Sequence, residues 1–303
     1  MTNNVIAESS IDITDVTNLD TIVNDIMEES LNNASNEQQT ISDNNSQEDN
    51  SSELALEKIK NSLSELFIDE SVLRFSGAEW FEKISSLNVV LAGLGGIGSW
   101  LALLLSRLNI NKLILIDSDK VEELNLAGQF FSRRQIGWDK VDCVIESIIN
   151  YTNFRNYIGQ RRKFNAYDSG PIMMCGFDNM RARLDYFNLW LHYIENLPSS
   201  DKRKECLFID GRVSAEELQV FCITGDDEYN KKRYMNEFMF PDSEAEEEVC
   251  SYKQTTFMTN MIASIMSNLF VNFAANLCNP IVERDLPFFT YYDAKLMYFK
   301  TEK

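Results

Sequence analysis

The 303-residue sequence holds a single histidine, His192, and none of its six cysteines (143, 175, 206, 222, 250 and 278) forms a C-x-x-C pair. A histidine-rich metal centre is thereby excluded, a Ser/His/Asp triad would hang on one ring, and neither a zinc ribbon nor a thioredoxin motif is encoded. His192 lies in the apolar run Asn188-Leu-Trp-Leu-His192-Tyr, which predicts a partly buried helical histidine. No run approaches the roughly 20 apolar residues of a membrane span, and the N-terminus lacks the basic start and apolar stretch of a secretory signal. A cytoplasmic protein with reduced thiols is the expectation. Basic residues are also scarce: 28 Lys+Arg face 47 Asp+Glu, a net charge of −19. A field of that sign repels polyanions, so neither nucleic acid nor an anionic membrane is expected as a partner.

The imbalance is uneven. Residues 1–55 carry twelve acidic residues and no Lys or Arg, whereas the remainder balances 28 basic against 35 acidic residues. Such a polar segment buries too little apolar surface to offset its ordering entropy, so 1–55 is predicted to be a disordered acidic tail preceding a domain at 56–303. Val16, Leu19, Val23 and Ile26 recur at helical spacing. They suit either a short amphipathic helix against a partner or chance periodicity.

With 44% hydrophobic residues, the chain has material for a sizeable core. From residue 88 short apolar runs alternate with amphipathic stretches. Asn88–Ala92, Lys112–Asp117, Pro171–Cys175, Cys206–Asp210 and Leu218–Ile223 read as strands. Trp100–Arg107, Asp139–Asn150, Asn179–Asn196 and Thr255–Leu277 read as helices, and Phe288–Tyr292 with Leu296–Phe299 as a terminal hairpin. This β-α-β order predicts an α/β protein with a doubly wound parallel sheet. Residues 226–248, rich in charge and aromatics, are expected to loop over the sheet's carboxyl edge.

Between the first strand and helix stands Gly93-Leu-Gly95-Gly96-Ile-Gly98-Ser99. Glycines there permit a tight turn and close approach of phosphates to backbone N–H groups, and a helix N-terminus favours negative charge. Alone the motif suits NAD, FAD or ATP, or a purely structural turn. Asp117 ends the next strand, where a carboxylate accepts hydrogen bonds from ribose hydroxyls.

The residues beyond Asp117 are more specific. Asp117-x-Asp119-x-Val121-Glu122-x-x-Asn125-Leu126-x-x-Gln129-Phe130, then Ile136-Gly137-x-x-Lys140, then Gly176-Phe177-Asp178-Asn179-x-x-Ala182-Arg183, together with the glycine motif, resemble the ThiF/MoeB family, bacterial relatives of ubiquitin-activating enzymes. The likeness extends over roughly residues 74–300. It implies a Rossmann-like doubly wound mixed sheet, and an enzyme that binds ATP and Mg²⁺ and adenylates the C-terminal carboxylate of a ubiquitin-like or sulfur-carrier protein, commonly as a homodimer. It also implies roles. Gly93, Gly95, Gly96, Gly98 and Ser99 line the nucleotide, Asp117 and Asp119 flank the ribose, and Asn125, Gln129 and Asn179 hydrogen-bond nearby. Lys140 is the catalytic lysine and Asp178 the Mg²⁺ ligand. From the residue alone, Lys140 could equally be a solvated lysine opening a helix.

The chain departs from the family at Gly128, where an arginine usually contacts the triphosphate; Arg133 or Arg134 are candidates to restore that charge. Arg74 resembles the arginine that reaches the partner's ATP in family dimers. Five cysteines lie in apolar settings and read as core residues. Cys250, after Glu246-Glu-Glu-Val, resembles a conjugating cysteine on a crossover loop, although its acidic neighbours would raise its pKa. No zinc is expected. Rival readings are a non-catalytic subunit pairing with an active one, adenylation of a small-molecule or tRNA-borne carboxylate, and an NAD-dependent oxidoreductase, which would leave Lys140, Gln129 and Asp178-Asn179 unexplained.

Overall fold

The computed structural model describes residues 70–241, 254–279 and 281–303. The expectations for the acidic tail, its Val16–Ile26 stripe, Cys250 and residues 242–248 fall outside them. Five strands, β1 (Asn88–Ala92), β2 (Lys112–Ile116), β3 (Tyr157–Gln160), β4 (Ile172–Cys175) and β5 (Leu207–Val213), run parallel in the order β3-β2-β1-β4-β5. β6 (Glu217–Thr224), β7 (Phe289–Asp293) and β8 (Tyr298–Glu302) extend the sheet antiparallel from β5. The helices are α1 (Phe81–Ile84), α2 (Gly96–Arg107), α3 (Lys140–Tyr151), α4 (Met180–Glu195), α5 (Ser200–Lys204), α6 (Glu228–Glu237) and α7 (Thr256–Cys278).

Successive side chains of a strand face opposite sides, and both sides here are covered, which is why the strands read as continuous apolar runs. Val89 and Leu91 of β1 and Ile172 and Met174 of β4 enter one core with α2, α3 and α7. Val90, Ala92, Met173 and Cys175 enter the other with Tyr186, Phe187 and Trp190 of α4 and Tyr234 of α6. The mixed, doubly wound sheet is therefore the expected one. Its strand order reverses between β1 and β4, and ligands of such sheets bind outside the carboxyl ends of the strands at that crevice. The glycine motif follows β1 and Asp178 follows β4.

Several local expectations are corrected. β3 was not legible in the sequence, its four residues Tyr157–Gln160 being only half-covered on the sheet edge. Residues 226–248 do not simply loop over the carboxyl edge. Glu228–Glu237 is helical, capped where Asp227 Oδ1 accepts from Asn230 N at 2.9 Å. Tyr234 sinks fully into the second core, and the buried Lys231 ammonium donates to Gly225 O at 2.9 Å and Glu228 Oε1 at 2.6 Å. Because Thr224 pairs with Leu207 at the amino end of β5, α6 begins at the sheet's amino edge and runs back across its face. Only its far end reaches the carboxyl edge, where Phe238 O accepts from Arg212 Nη1 at 2.9 Å.

Against expectation, one helix among the described residues, α7, is long and apolar enough to cross a membrane. Met258, Ile262, Met266, Phe270 and Phe273 of that helix are instead buried in the first core. His192 is helical as predicted but exposed, on the outer face of α4. Of the cysteines read as core residues, Cys143, Cys175, Cys206 and Cys222 are buried, while Cys278, the last residue of α7, is exposed.

Candidate active site

The glycine turn is shaped by contacts that exclude side chains. Gly93 has φ +82°, a left-handed backbone that glycine adopts without strain. A Cβ on Gly98 would stand 1.9 Å from Gly93 O, so α2 can fold back onto the turn only with a bare residue there. Gly95 differs: its Cβ would meet nothing closer than the Gln129 amide at 3.7 Å, so packing does not require glycine at that position. The turn is tied to β2 by Asp117, whose Oδ2 accepts from Leu94 N at 2.6 Å and Oδ1 from Asp119 N at 2.7 Å. Burial raises the Asp117 pKa above its ordinary value, partly offset by those two amides and the charge of Lys140.

Lys140 opens α3, yet it is not a solvated lysine. Its side chain is 9% exposed, and Nζ lies 3.1 Å from Asp119 Oδ2, whose own side chain is 64% exposed. The cation is thus held inward beside Asp117 and Asp119, although a helix N-terminus disfavours positive charge. Gln129 faces the glycine turn, and its Oε1 is buried without a hydrogen-bond partner, an arrangement that normally costs about 1–3 kcal/mol. Asn125 and Ser99 have structural commitments. Asn125 Oδ1 accepts from Glu122 N at 2.9 Å in a capping box over the 3-10 turn Glu123–Ala127. The buried Ser99 hydroxyl accepts from Phe130 N at 2.9 Å, fastening that segment to α2.

Neither arginine expected to compensate for Gly128 is turned to that purpose. Arg133 is 85% exposed, 4.0 Å from Glu123, and Arg134 donates to Glu146 Oε1 at 2.8 Å. The neighbourhood of Gly128 belongs instead to the start of α7. Thr259 Oγ1 and Trp100 Nε1 donate to Gly128 O at 2.7 and 3.2 Å, and Thr256 Oγ1 donates to Ala127 O. Gln254 lies over both Gly96 and Gly128. Nothing in the sequence marks Gln254 beyond its place before an apolar helix.

Across the crevice, the strand-end signature has a physical account. Asn179 caps α4, its Oδ1 accepting from Ala182 N at 2.8 Å, while its Nδ2 donates to Asp178 Oδ1 at 3.0 Å and steadies the exposed carboxylate. One turn on, the buried Arg183 reaches back and donates to Phe177 O, to Gly211 O at 2.9 Å and to Asp210 Oδ1. Asp210, fully buried, also accepts from Arg212 Nε at 2.8 Å, Tyr234 Oη at 2.9 Å and the Cys175 thiol at 3.4 Å. Burial alone would raise its pKa; Arg183 and Arg212 more than offset that and hold it below the ordinary value. Burial pushes the Cys175 thiol well up and that of Cys222 to about 12, so neither is an available nucleophile. A groove of about 480 Å³ adjoins this strand end, lined by Met180, Leu184, Met235, Met239 and Phe240.

The fold thus gathers the glycine turn, Asp117, Asp119, Asn125, Gln129 and Lys140 on one side of the crevice and Asp178 and Asn179 on the other. Arg74 is not among them. It is exposed in the turns before α1, a segment linked through Glu79 to Arg284 at 2.8 Å and thence to Asn276 in the last turn of α7. That is the opposite end of the helix whose first turn touches Gly128.

Curated relatives include the ubiquitin-like modifier-activating enzyme 5 of Xenopus laevis, 30% identical over 129 residues (37% of this chain, 32% of the relative), and that of Dictyostelium discoideum, 34% identical over 121 residues (34% and 32%). The matches therefore span about a third of the length of these relatives. Among solved structures, PaaA shares the fold with a TM-score of 0.58 at 16% identity, over 96% of this chain and 87% of that one. Escherichia coli MccB crystallised with ATP does so at 0.52 and 15% identity, over 74% and 66%. The ThiF family matches residues 69–302, a span that takes in every strand of the sheet and both sides of the crevice, and the chain belongs to that family.

Proposed function

We propose that the protein adenylates a carboxylate, the C-terminus of a ubiquitin-like or sulfur-carrier protein, at the expense of ATP. The observation that carries this is Lys140: a cation withdrawn from water beside a glycine turn and a helix N-terminus, paired to an acid that is itself mostly exposed. Pairing alone does not account for its burial, whereas a polyphosphate brought to the turn does. Gly95, bare without a packing cause, and the Gln129 amide nitrogen that faces it, a donor for phosphate oxygens, fit the same occupant.

Asp117 keeps each oxygen on a backbone amide and retains lone pairs for ribose hydroxyls. N–H groups of the Gly93–Gly98 turn and the amides of Asn125 and Gln129 hold phosphate oxygens. An oxygen of the carrier's carboxylate then attacks the α-phosphorus, an acyl-adenylate forms, and pyrophosphate leaves with the electron pair of the broken P–O bond. Lys140, preorganised by Asp119, stabilises the charge that develops on the phosphoryl oxygens. Asp178, a single exposed carboxylate, suits Mg²⁺, which takes one or two protein carboxylates and completes its shell with water and substrate phosphates. When bound there the ion neutralises phosphate charge. Among the described residues no group of three or more His, Cys, Asp or Glu side chains forms a ready-made metal cage. A homodimer, with Arg74 acting on the second copy, a cytoplasmic setting, and transfer of the carrier to Cys250 complete the proposal.

A ligand that binds only the native state stabilises it by about 2.7 kcal/mol at a hundredfold excess over Kd, and so raises the thermal midpoint. Mg²⁺-ATP is expected to do so and NADH not. Stabilisation by NADH and not by ATP would end the adenylation reading. With a small protein ending in glycine, ATP–pyrophosphate exchange should appear, together with a reductant-sensitive adduct that Cys250→Ser removes. Exchange without any adduct would restrict the enzyme to adenylation.

A further inference from the structure

Two glutamine side chains flank the glycine turn, and only one belongs to the sequence motifs. Gln129 faces Gly95 from one side. Gln254, just before the Thr255 N-cap of α7, meets the turn at Gly96: its Oε1 lies 2.7 Å from the place a Cβ would take on Gly96 and 3.1 Å from that on Gly128. Two positions on separate segments are thus bare where this one amide lies. A side chain at 128 would press on Gln254, whose Cβ and Oε1 each lie 3.1 Å from the Cβ position, which gives the departure there a structural counterpart.

Packing does not call for an amide there. The nearby carbonyls of Ala127 and Gly128 are already served by Thr256, Thr259 and Trp100, and the start of α7 is anchored independently where Thr255 Oγ1 donates to Ala215 O at 2.7 Å. An apolar side chain of the same length would fill the space equally well. Gln254 is instead a half-buried carboxamide set over the first residue of α2, where backbone N–H groups point outward and negative charge is favoured. A half-turn about its last torsion exchanges its acceptor for two donors.

We propose that Gln254 is a nucleotide-contacting residue, the N–H groups of its carboxamide binding phosphate oxygens opposite Gln129, so that the segment leading into α7 closes the phosphate end of the site. This rests on the ATP-binding reading of the glycine turn. It separates the two glutamines from the ribose side held by Asp117, and so predicts an effect confined to phosphate-bearing ligands.

The test is calorimetric titration of the full chain with Mg²⁺-ATP and, separately, with adenosine, for wild type, Gln254→Met and Gln254→Asn, alongside the thermal midpoint without ligand. Gln254→Met, of similar length and apolar, should leave the ligand-free midpoint within about 2 °C. It should weaken ATP about tenfold or more, the scale of a hydrogen bond to a charged group, and leave adenosine within twofold. Gln254→Asn, which keeps a shorter carboxamide, should fall between. Should Gln254→Met not fold, the ratio of ATP to adenosine affinity in Gln254→Asn serves as the readout. Parallel loss of ATP and adenosine, or no loss of either, would overturn the proposal and leave Gln254 structural. Failure of wild type to bind ATP would instead remove the nucleotide reading itself, and this proposal with it.

Discussion

Asp210→Asn removes the charge at the centre of the network behind the β4 and β5 strand ends. The carboxylate is fully buried and accepts from Arg183, Arg212, Tyr234 and Cys175. Asparagine keeps the shape but leaves two guanidinium groups out of water without a counterion, and turns one acceptor into a donor facing other donors. Removing one member of a buried ion pair costs about 3–5 kcal/mol. At about 2–4 °C per kcal/mol for a domain of this size, the midpoint should fall by roughly 6–20 °C at pH 7. The pH dependence has a definite sign. Because the folded carboxyl titrates below its ordinary value, Asp210 stabilises fully above the unfolded pKa of about 3.9, and its contribution is lost only as pH falls through the still lower folded value. Thermal melts of wild type and variant between pH 7 and 5 should therefore keep a constant gap that closes only in stronger acid. A midpoint loss under about 3 °C would show that Arg183 and Arg212 do not depend on the carboxylate. A gap closing between pH 7 and 5 would show that burial, not the arginines, sets its titration.

Lys140→Ala is expected to slow carrier-dependent ATP–pyrophosphate exchange about 10²-fold or more, as loss of a preorganised electrostatic contact does, and Asp178→Ala to abolish it by removing the Mg²⁺ ligand. Wild-type rates in both would leave the two residues structural. Gly98→Ala should yield little folded protein by circular dichroism, since its Cβ would lie 1.9 Å from Gly93 O and α2 would have to move off the turn. A variant melting within about 2 °C of wild type would show that the turn yields.

The sequence alone determined the order of most elements, because strands covered on both faces read as unbroken apolar runs and helices announce themselves by period and cap. The helices expected from Asn179 and from Thr255 do begin there, with both residues at the N-cap position. Glycines at 93, 96 and 98 marked the turn, since few other residues tolerate its backbone or its close contacts. Tertiary structure decided what local pattern does not encode. α6 is dominated by charge along the sequence, yet Tyr234 buries against Phe208 and Phe221 of β5 and β6. Lys140 looks like any lysine opening a helix until Asp119, on the preceding loop, draws it inward. Asp210, Arg183 and Arg212 come from two elements and meet only because β4 and β5 pair in register. Gln254 lies more than 120 positions from the glycines it covers, and no spacing rule connects them. Motifs report contacts made within a turn of helix or across one loop, whereas the far wall of a site is set by long-range packing of whole elements, here by where α7 begins.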